Sequence, residues 1–172
     1  LPIYNYDRID FVDAPVDLGF ECPLDLHCTY SRDQILAALD FMKPGTVREG
    51  TKYLPDKKTD VHFVTLNKAE KDYSPTTMYE DYSINEVLFH WQSQSTTSQS
   101  STTGQRYMNH RSMGVRELLF VREFKSGKLG AALYTFLGLA DFLSANGSKP
   151  MNITWRLHEP IPAKYLRKTN KL

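Results

Sequence analysis

Short runs rich in β-branched and aromatic residues recur along the chain from residue 61 onward and predict a fold dominated by strands. The clearest is MNITWRLH at 151–158, where apolar and polar residues alternate as in a strand with one buried face. VHFVTLN at 61–67 is apolar on both faces, which is typical of a central, covered strand. Further strands are predicted at 86–93 and 116–124, whereas LYTFLGLADFL at 133–143 fits either a strand or a helix.

One helix is clearly marked in the sequence. Ser31 is a predicted N-cap, and Gln34 three residues later completes a capping-box-like arrangement. An apolar face follows at helical spacing, and Pro44-Gly45 is expected to end the helix. The expected fold is therefore α+β and mostly β. It is a twisted sheet or open pseudobarrel of about six to seven strands, with this helix at about 31–42 and one or two short helices.

The length of 172 residues suits a single domain, at roughly one domain per ~150 residues. Prolines interrupt residues 1–25, which are expected to be irregular apart from one short strand in YNYDRIDFVD. The basic tail at 163–172 is expected to form a short helix or to fray. Because the chain begins at Leu1 and has no signal peptide, we interpret it as a domain excised from a longer, cytoplasmic protein. No apolar run approaches the ~18 residues of a membrane-spanning helix, so no membrane partner is expected.

The net charge of +1 conceals an uneven distribution of charge. Residues 1–43 carry eight acidic and three basic residues, residues 44–103 eight and six, and residues 104–172 four and twelve, which gives −5, −2 and +8. An excess of positive charge in one part of a chain points to a nucleic-acid or other anionic partner. The alternative is that the acidic segment packs against the basic one and neutralises it.

The stretch QSQSTTSQSSTT at 92–103 contains only Gln, Ser and Thr. Such runs are commonly flexible surface loops. This run follows the bulky segment FHW and is succeeded by GQRYMNHR, which is dense in Arg, Tyr, Asn and His. Hydroxyl and amide groups beside arginines are suited to hydrogen-bonding phosphates and base edges. We therefore predict a loop at 92–105 that contacts nucleic acid together with the residues up to 111.

The basic residues that follow this loop are predicted to form a binding face with it. Arginine makes bidentate hydrogen bonds to phosphate and guanine, amides pair with base edges, and aromatic rings stack on an unpaired base. Aromatic residues such as Trp91 are also commonly part of a core. The predicted DNA-binding residues are Arg106, Arg111, Arg122, Lys125 and Arg156 for phosphate or guanine, Gln92, Gln94, Gln105 and Asn109 for base edges, His90, Trp91, Tyr107 and His110 for a pocket or wedge, and Ser93 within the loop.

The sequence lacks the motifs GxxxxGK[ST], GxSxG and HExxH, which mark common catalytic sites. Glu123-Phe124-Lys125, with Asp81 or Glu86, resembles the metal-binding core of restriction-type nucleases, where carboxylates hold Mg²⁺ and a lysine positions water. An exposed Glu/Lys pair on a strand is the alternative. Cys22 and Cys28 fit no zinc spacing and are expected to be reduced thiols, with a disulfide between them as the alternative. We therefore expect no catalytic residue, metal site or cofactor in this domain.

Several unusual motifs are spread over the chain: FECPLDLHCTYSRDQILAAL, FHWQSQSTT, TGQRY, LLFVREFK, LGLADF and KPMNITWRL. Over about residues 10–162 the chain resembles the uncharacterised domain at the C-termini of bacterial DEAD/DEAH-box helicase-like proteins, many of which also carry a phospholipase-D-type nuclease module. That domain is longer, with a helical N-terminal part, so the chain corresponds to its C-terminal half.

The resemblance implies a module of a restriction or phage-defence system. The helicase and nuclease chemistry would then lie in other domains of the parent protein or its complex, and these domains would be partners of this one. The role left for this domain is recognition of double-stranded DNA, including modified DNA, by analogy with small β-barrel DNA readers of such systems. Two other functions stay open: a Mg²⁺-dependent nuclease that uses the Glu-x-Lys motif, and a protein–protein docking domain.

Overall fold

The computed structural model describes residues 17–67, 81–127 and 130–169 and confirms a mixed, mostly β architecture. The helices in these residues are α1 (Arg32–Ala38), α2 (Thr102–Met108) and α3 (Ala163–Thr169). Each spans seven residues, and none of these described helices could cross a membrane. The described strands are β1 (Thr29–Tyr30), β2 (Thr51–Leu54), β3 (Thr59–Asn67), β4 (Tyr82–Ser83), β5 (Leu88–Gln92), β6 (Arg116–Phe124), β7 (Ser126–Gly127), β8 (Gly130–Ala131), β9 (Tyr134–Asn146) and β10 (Asn152–Leu157).

Eight of these strands form one open sheet in the order β2-β3-β6-β9-β10-β5-β4, with β1 paired to β9 beside β10. Every pair is antiparallel except β3 and β6, which run parallel and place Asp60 beside Glu117. β7 and β8 form a separate hairpin. The sheet has more strands than the six to seven expected because β1 and β4, of two residues, and β2, of four, are too short for an alternating pattern to reveal them.

The sheet separates two hydrophobic clusters, one on each face. In β6, Leu118 and Phe120 belong to the first cluster, whereas Leu119 and Val121 belong to the second, because successive side chains of a strand point to opposite faces. The strand is therefore covered on both sides. The helices contribute buried side chains as follows: Ile35 and Leu36 of α1 to the first cluster, and Tyr107 of α2 and Tyr165 of α3 to the second.

Helix α1 begins as predicted but ends earlier. The Ser31 side chain accepts a hydrogen bond from the Gln34 amide, and the Gln34 side chain accepts one from the Ser31 amide, which confirms the capping box. The helix stops at Ala38 rather than near residue 42. Asp40 adopts a left-handed conformation with φ 62°, and the Phe41 amide donates to Leu36 O over 2.8 Å. This Schellman-type ending satisfies the last carbonyls before Pro44 is reached.

The ambiguous segment at 133–143 is a strand. From Tyr134 onward it lies within β9, which pairs with β6 along one edge and with β1 and β10 along the other. Residues 17–24 form no helix or strand, and the predicted strand in YNYDRIDFVD lies outside the described residues. The two cysteines of the chain, Cys22 and Cys28, form no disulfide.

Candidate functional site

One end of the sheet gathers most of the segments that the sequence analysis singled out. Gln92 at the end of β5 pairs with Asn152 at the start of β10, and Asn152 pairs in turn with Asn146 at the end of β9. β3 and β6 both begin at this end, because β9 runs antiparallel to β6. We call it the loop end of the sheet. The connections that lie there are 55–58, 93–101, 109–115 and 147–151.

The Gln/Ser/Thr stretch is held in place by its own polar groups. The Ser93 amide donates to Met151 O over 3.0 Å, and the Met151 amide donates to Ser93 Oγ over 2.9 Å. Thr97 is buried, and its carbonyl accepts a hydrogen bond from the Lys149 amide over 2.8 Å. Backbone groups and the Ser93 hydroxyl therefore hold this loop against the segment at 149–151.

The predicted loop at 92–105 ends early, because α2 starts within it at Thr102. Ser101 caps this helix by accepting a hydrogen bond from the Gly104 amide over 3.0 Å. Gly104 packs so closely on the loop that an added Cβ would lie 2.0 Å from Ser98 O. The glycine of the GQRY motif thus allows α2 to lie directly on the Ser/Thr-rich loop.

Side-chain hydrogen bonds join this loop to its neighbours. Gln99 donates through Nε2 to Gly147 O over 2.9 Å, and the Gln105 amide group donates to Gln99 O over 2.8 Å. Asn109 Nδ2 donates to Gln105 Oε1 over 3.1 Å. We call the surface that these segments form the polar loop surface. It consists of the loop at 93–101, the exposed side of α2, the loop that follows α2 up to residue 114, and the turn at 146–149. Gln92 and Asn152 also belong to it, and their side-chain amides are hydrogen-bonded to each other at 2.9 Å.

The polar loop surface is built from chain segments without acidic residues. No Asp or Glu occurs in the sequence from Gln92 to Arg116, or from Phe142 to His158. Its exposed cations include Arg111 and Lys149. The acidic groups that reach it belong to other segments. These are Glu49, which accepts a hydrogen bond from Gln94, Asp81, which accepts one from the Gln92 amide, and Asp141, 4.0 Å from Arg111. Lys149 and Asn152 were not among the predicted binding residues, although the acid-free composition around them is visible in the sequence.

Four of the predicted binding residues lie inside the protein. Trp91, Ser93, Tyr107 and His110 are each at most 4% exposed. The Trp91 and Tyr107 rings pack edge to face with centroids 5.4 Å apart. His110 Nε2 accepts a hydrogen bond from the Phe142 amide over 2.9 Å, and burial lowers the pKa of His110. These side chains therefore support the fold, and they do not form the solvent-facing pocket or wedge that the sequence suggested.

Two other predicted residues, His90 and Arg156, lie on the opposite face of β5 and β10 from the buried Trp91 and Trp155. The His90 ring stacks on Tyr82 of β4, with centroids 4.7 Å apart. Arg156 is exposed and makes no ion pair with any residue that the structure describes. These residues extend the polar character around the sheet rather than adding to the side that carries α2.

Arg106 and Arg122, predicted to bind phosphate, are already engaged by the protein. Arg106 binds both carboxylate oxygens of Asp60 at 2.9 Å, and its guanidinium lies 3.9 Å from the centre of the Tyr53 ring. Arg122 Nε donates to Thr65 Oγ1 over 2.9 Å. The N–H donors used in these contacts can bind a phosphate only if the internal contacts break.

Lys125 and the Glu-x-Lys motif lie at the far end of β6 from Arg111. The nine residues of β6 span roughly 26 Å at ~3.3 Å per residue, so Lys125 is remote from the polar loop surface. Glu86 precedes β5 and Asp81 precedes β4. β5 is three strand spacings from β6, or about 14 Å at ~4.8 Å each, and β4 is a further strand away. The strand order thus separates Glu123 from both acids. Among the described ranges, no group of three or more His, Cys, Asp or Glu is placed to hold a metal ion.

A cluster of buried charged and polar residues lies beneath α2, and the sequence analysis did not find it. Asp60, His62 and Glu117 are each 0% exposed. His62 Nε2 is 2.9 Å from Glu117 Oε1, and His62 Nδ1 is 3.0 Å from Thr51 Oγ1. The visible signal was the alternation in β6, which places Glu117 on the same face as Leu119 and Val121.

Burial of this cluster favours the uncharged forms of Glu117 and His62. Burial raises the pKa of Glu117 well above its usual range, and the negative charge of Asp60 adds to this effect. Burial lowers the pKa of His62 to about 4. These two directions favour a neutral Glu117 beside a neutral His62, and the ion pair of the cluster is that of Arg106 with Asp60.

The fold and the site define a mixed, mostly β domain whose open sheet presents polar loops at one end. Residues 24–168 match the family described as "Domain of unknown function (DUF3427)", and the chain therefore belongs to that family. No curated protein sequence matches the chain.

Proposed function

We propose that this domain binds double-stranded DNA through the polar loop surface. The observation that carries the proposal is the composition of that surface. Side-chain hydrogen bonds join the loop at 93–101 to α2 and to the turn at 146–149. These segments contain hydroxyls, amides and cations but no acidic residue. Within these segments no carboxylate repels a polyanion, and the carboxylates that reach the surface, Glu49, Asp81 and Asp141, come from other parts of the chain.

The chemistry of the surface suits both parts of a duplex. Ser and Thr hydroxyls and exposed cations bind phosphate oxygens, which positions a protein on DNA. The amides of Gln94, Gln105 and Asn109 can hydrogen-bond base edges, and Arg111 can bind either phosphate or guanine. We therefore retain these four, with Gln92, as the contacts proposed from the sequence.

The larger setting is part of the same proposal. The chain resembles the C-terminal domain of helicase-like proteins with nuclease modules, and a DNA-binding domain in a cytoplasmic restriction or phage-defence protein would direct those activities to their target. The DNA would be plain or chemically modified. The helicase and nuclease domains of the parent protein or its complex would be the protein partners of this domain.

The proposal is tested by mobility-shift measurements with plain and modified duplexes. We expect binding at ~50 mM salt that weakens by orders of magnitude by ~200 mM, because phosphate contacts release counterions. Arg111→Ala is expected to weaken binding about tenfold, and both Arg111→Ala and Lys149→Ala should lower the salt slope by about one.

Lys164→Ala is the matched control, because it removes an exposed cation from α3, which follows the opposite end of β10. Its affinity should equal that of the unaltered protein. The proposal fails if no duplex shifts at ~50 mM salt, or if all three variants weaken binding equally.

A further inference from the structure

A second feature of the loop end is a pocket of about 360 Å³, a volume in the range of small-ligand sites. It lies between the segment before β1, the turn that joins β2 to β3, and the first residue of β6. None of its residues belongs to the polar loop surface. The residues that line it are Gly19, Phe20, Pro55, Asp56, Lys57, Lys58 and Arg116.

The guanidinium of Arg116 forms one wall of the pocket. The Arg116 backbone amide donates to Lys58 O over 2.8 Å, and Nη1 donates to Lys57 O over 3.3 Å, so the side chain is tied to the turn beside it. Gly19, with φ 78°, lies against the other side, where an added Cβ would be 2.4 Å from Nη2. Arg116 makes no ion pair with a described residue. The Arg116 side chain is therefore held in place, while most of its N–H donors bind no residue that the structure describes.

Lys58 adds to this charge, and Lys57 beside it forms an ion pair with Asp40. Lys57 Nζ lies 4.8 Å from the centre of the Phe20 ring and 2.7 Å from Asp40, an exposed carboxylate outside the pocket. Lys58 is exposed, adopts a left-handed φ of 47° and makes no ion pair with a residue that the structure describes. This conformation ends the short 3-10 turn at Pro55–Lys57, where the Lys58 amide donates to Pro55 O over 3.1 Å. Asp56 is the one acidic residue among those lining the pocket.

We propose that this pocket binds a phosphate group, with Arg116 and Lys58 as its principal contacts. A guanidinium offers paired donors that match phosphate oxygens, and an adjacent ammonium adds a point charge. The phosphate has two possible sources. One is the backbone of DNA held at the polar loop surface, and this alternative rests on the proposed function. The other is a free nucleotide, and this alternative is independent of the proposed function.

The test is an amide-resonance titration of the full chain with inorganic phosphate, with AMP and with a short DNA duplex at constant ionic strength. We expect resonances of residues 19–20 and 55–58 to shift. Arg116→Gln and Lys58→Gln should each weaken this response about tenfold, the loss expected for one charge-assisted hydrogen bond. Lys164→Gln should leave it unchanged.

The three ligands distinguish the sources. Shifts with phosphate or AMP identify a free-ligand site, and shifts with the duplex alone identify a backbone phosphate as the ligand. The proposal is overturned if no ligand shifts these residues, or if the shifts persist in Lys58→Gln, an exposed substitution that should not impair folding. Loss of DNA binding in Arg111→Ala with the phosphate response intact would show that the two sites act separately.

Discussion

The carboxylate of Asp60 is completely buried, and Arg106 is the group that makes this burial tolerable. An ionised carboxylate in the interior costs several kcal/mol unless a partner and hydrogen bonds compensate it. Arg106 supplies two hydrogen bonds of 2.9 Å and the opposite charge, and Tyr53 covers its guanidinium. The pair therefore fastens α2 to β3.

Removal of this arginine should be severely destabilising. Arg106→Ala leaves Asp60 buried without a counter-ion, and the free energy of unfolding should fall by about 3–5 kcal/mol. Denaturant unfolding measures this loss, and Arg111→Ala, on the surface, should change it by no more than ~0.5 kcal/mol. Adding Asp60→Asn to Arg106→Ala should restore part of the stability, because the uncompensated charge is gone. Equal losses for the two arginine variants would refute this account.

Glu117 and His62 should make opposite contributions to the pH dependence of stability. The pKa of His62 falls from 6.5 unfolded to about 4 folded, so the unfolded chain binds more protons between these values and stability rises with pH. The pKa of Glu117 rises from 4.5, so the folded state binds more protons above pH 4.5 and stability falls as pH rises through the folded pKa.

Replacing Glu117 with Gln should expose the histidine contribution. In Glu117→Gln, the free energy of unfolding should increase from pH 4 to pH 6.5 by up to ~1.4 kcal/mol per pH unit, whereas the unaltered protein should show a flatter curve. Denaturant unfolding across this range gives both curves, with the exposed Glu21→Gln as control. Identical pH dependence in the two proteins would mean that Glu117 is ionised in the folded state.

At the scale of elements, α2 and the Ser/Thr-rich loop form one unit. The loop's own hydroxyls and amides hold it, Ser101 starts the helix, and Gly104 brings the two together. The low-complexity composition that usually signals flexibility here supplies the hydrogen bonds of an ordered surface. If the polar loop surface binds DNA, the shape of this unit determines which contacts are possible.

Gly104→Ala should separate the helix from the loop. The new methyl group would meet the backbone oxygen of Ser98, which has no side-chain freedom to move away, so a loss of about 1–3 kcal/mol in unfolding free energy is expected. Gly45→Ala is the matched control, because an added Cβ there meets nothing within 4 Å. Its stability should be equal or slightly higher. Equal effects in both variants would argue against the packing role of Gly104.

At the scale of the whole molecule, the net charge of each chain segment does not show where positive charge is exposed on the surface. The last segment carries +8, yet Arg106 and Arg122 within it are engaged by Asp60 and Thr65. The sheet topology brings Lys58 from the middle of the chain to the same end as Arg111 and Lys149. The proposed anion-binding region is therefore composed of charges from two segments, including one with a net charge of −2.

The sequence by itself determined the features that depend on neighbouring residues. The mostly β class, the capping box at Ser31, the strands at 116–124 and 151–158, and the acid-free composition around the polar loop all follow from local pattern. The tertiary structure alone decided which residues meet. Parallel pairing of β3 with β6 places Asp60 and His62 beside Glu117, 57 and 55 residues away along the chain. The burial of Trp91 and Tyr107 and the binding of Arg106 to Asp60 also join residues that are far apart in the chain. Such contacts depend on strand order and register, which local propensity does not encode.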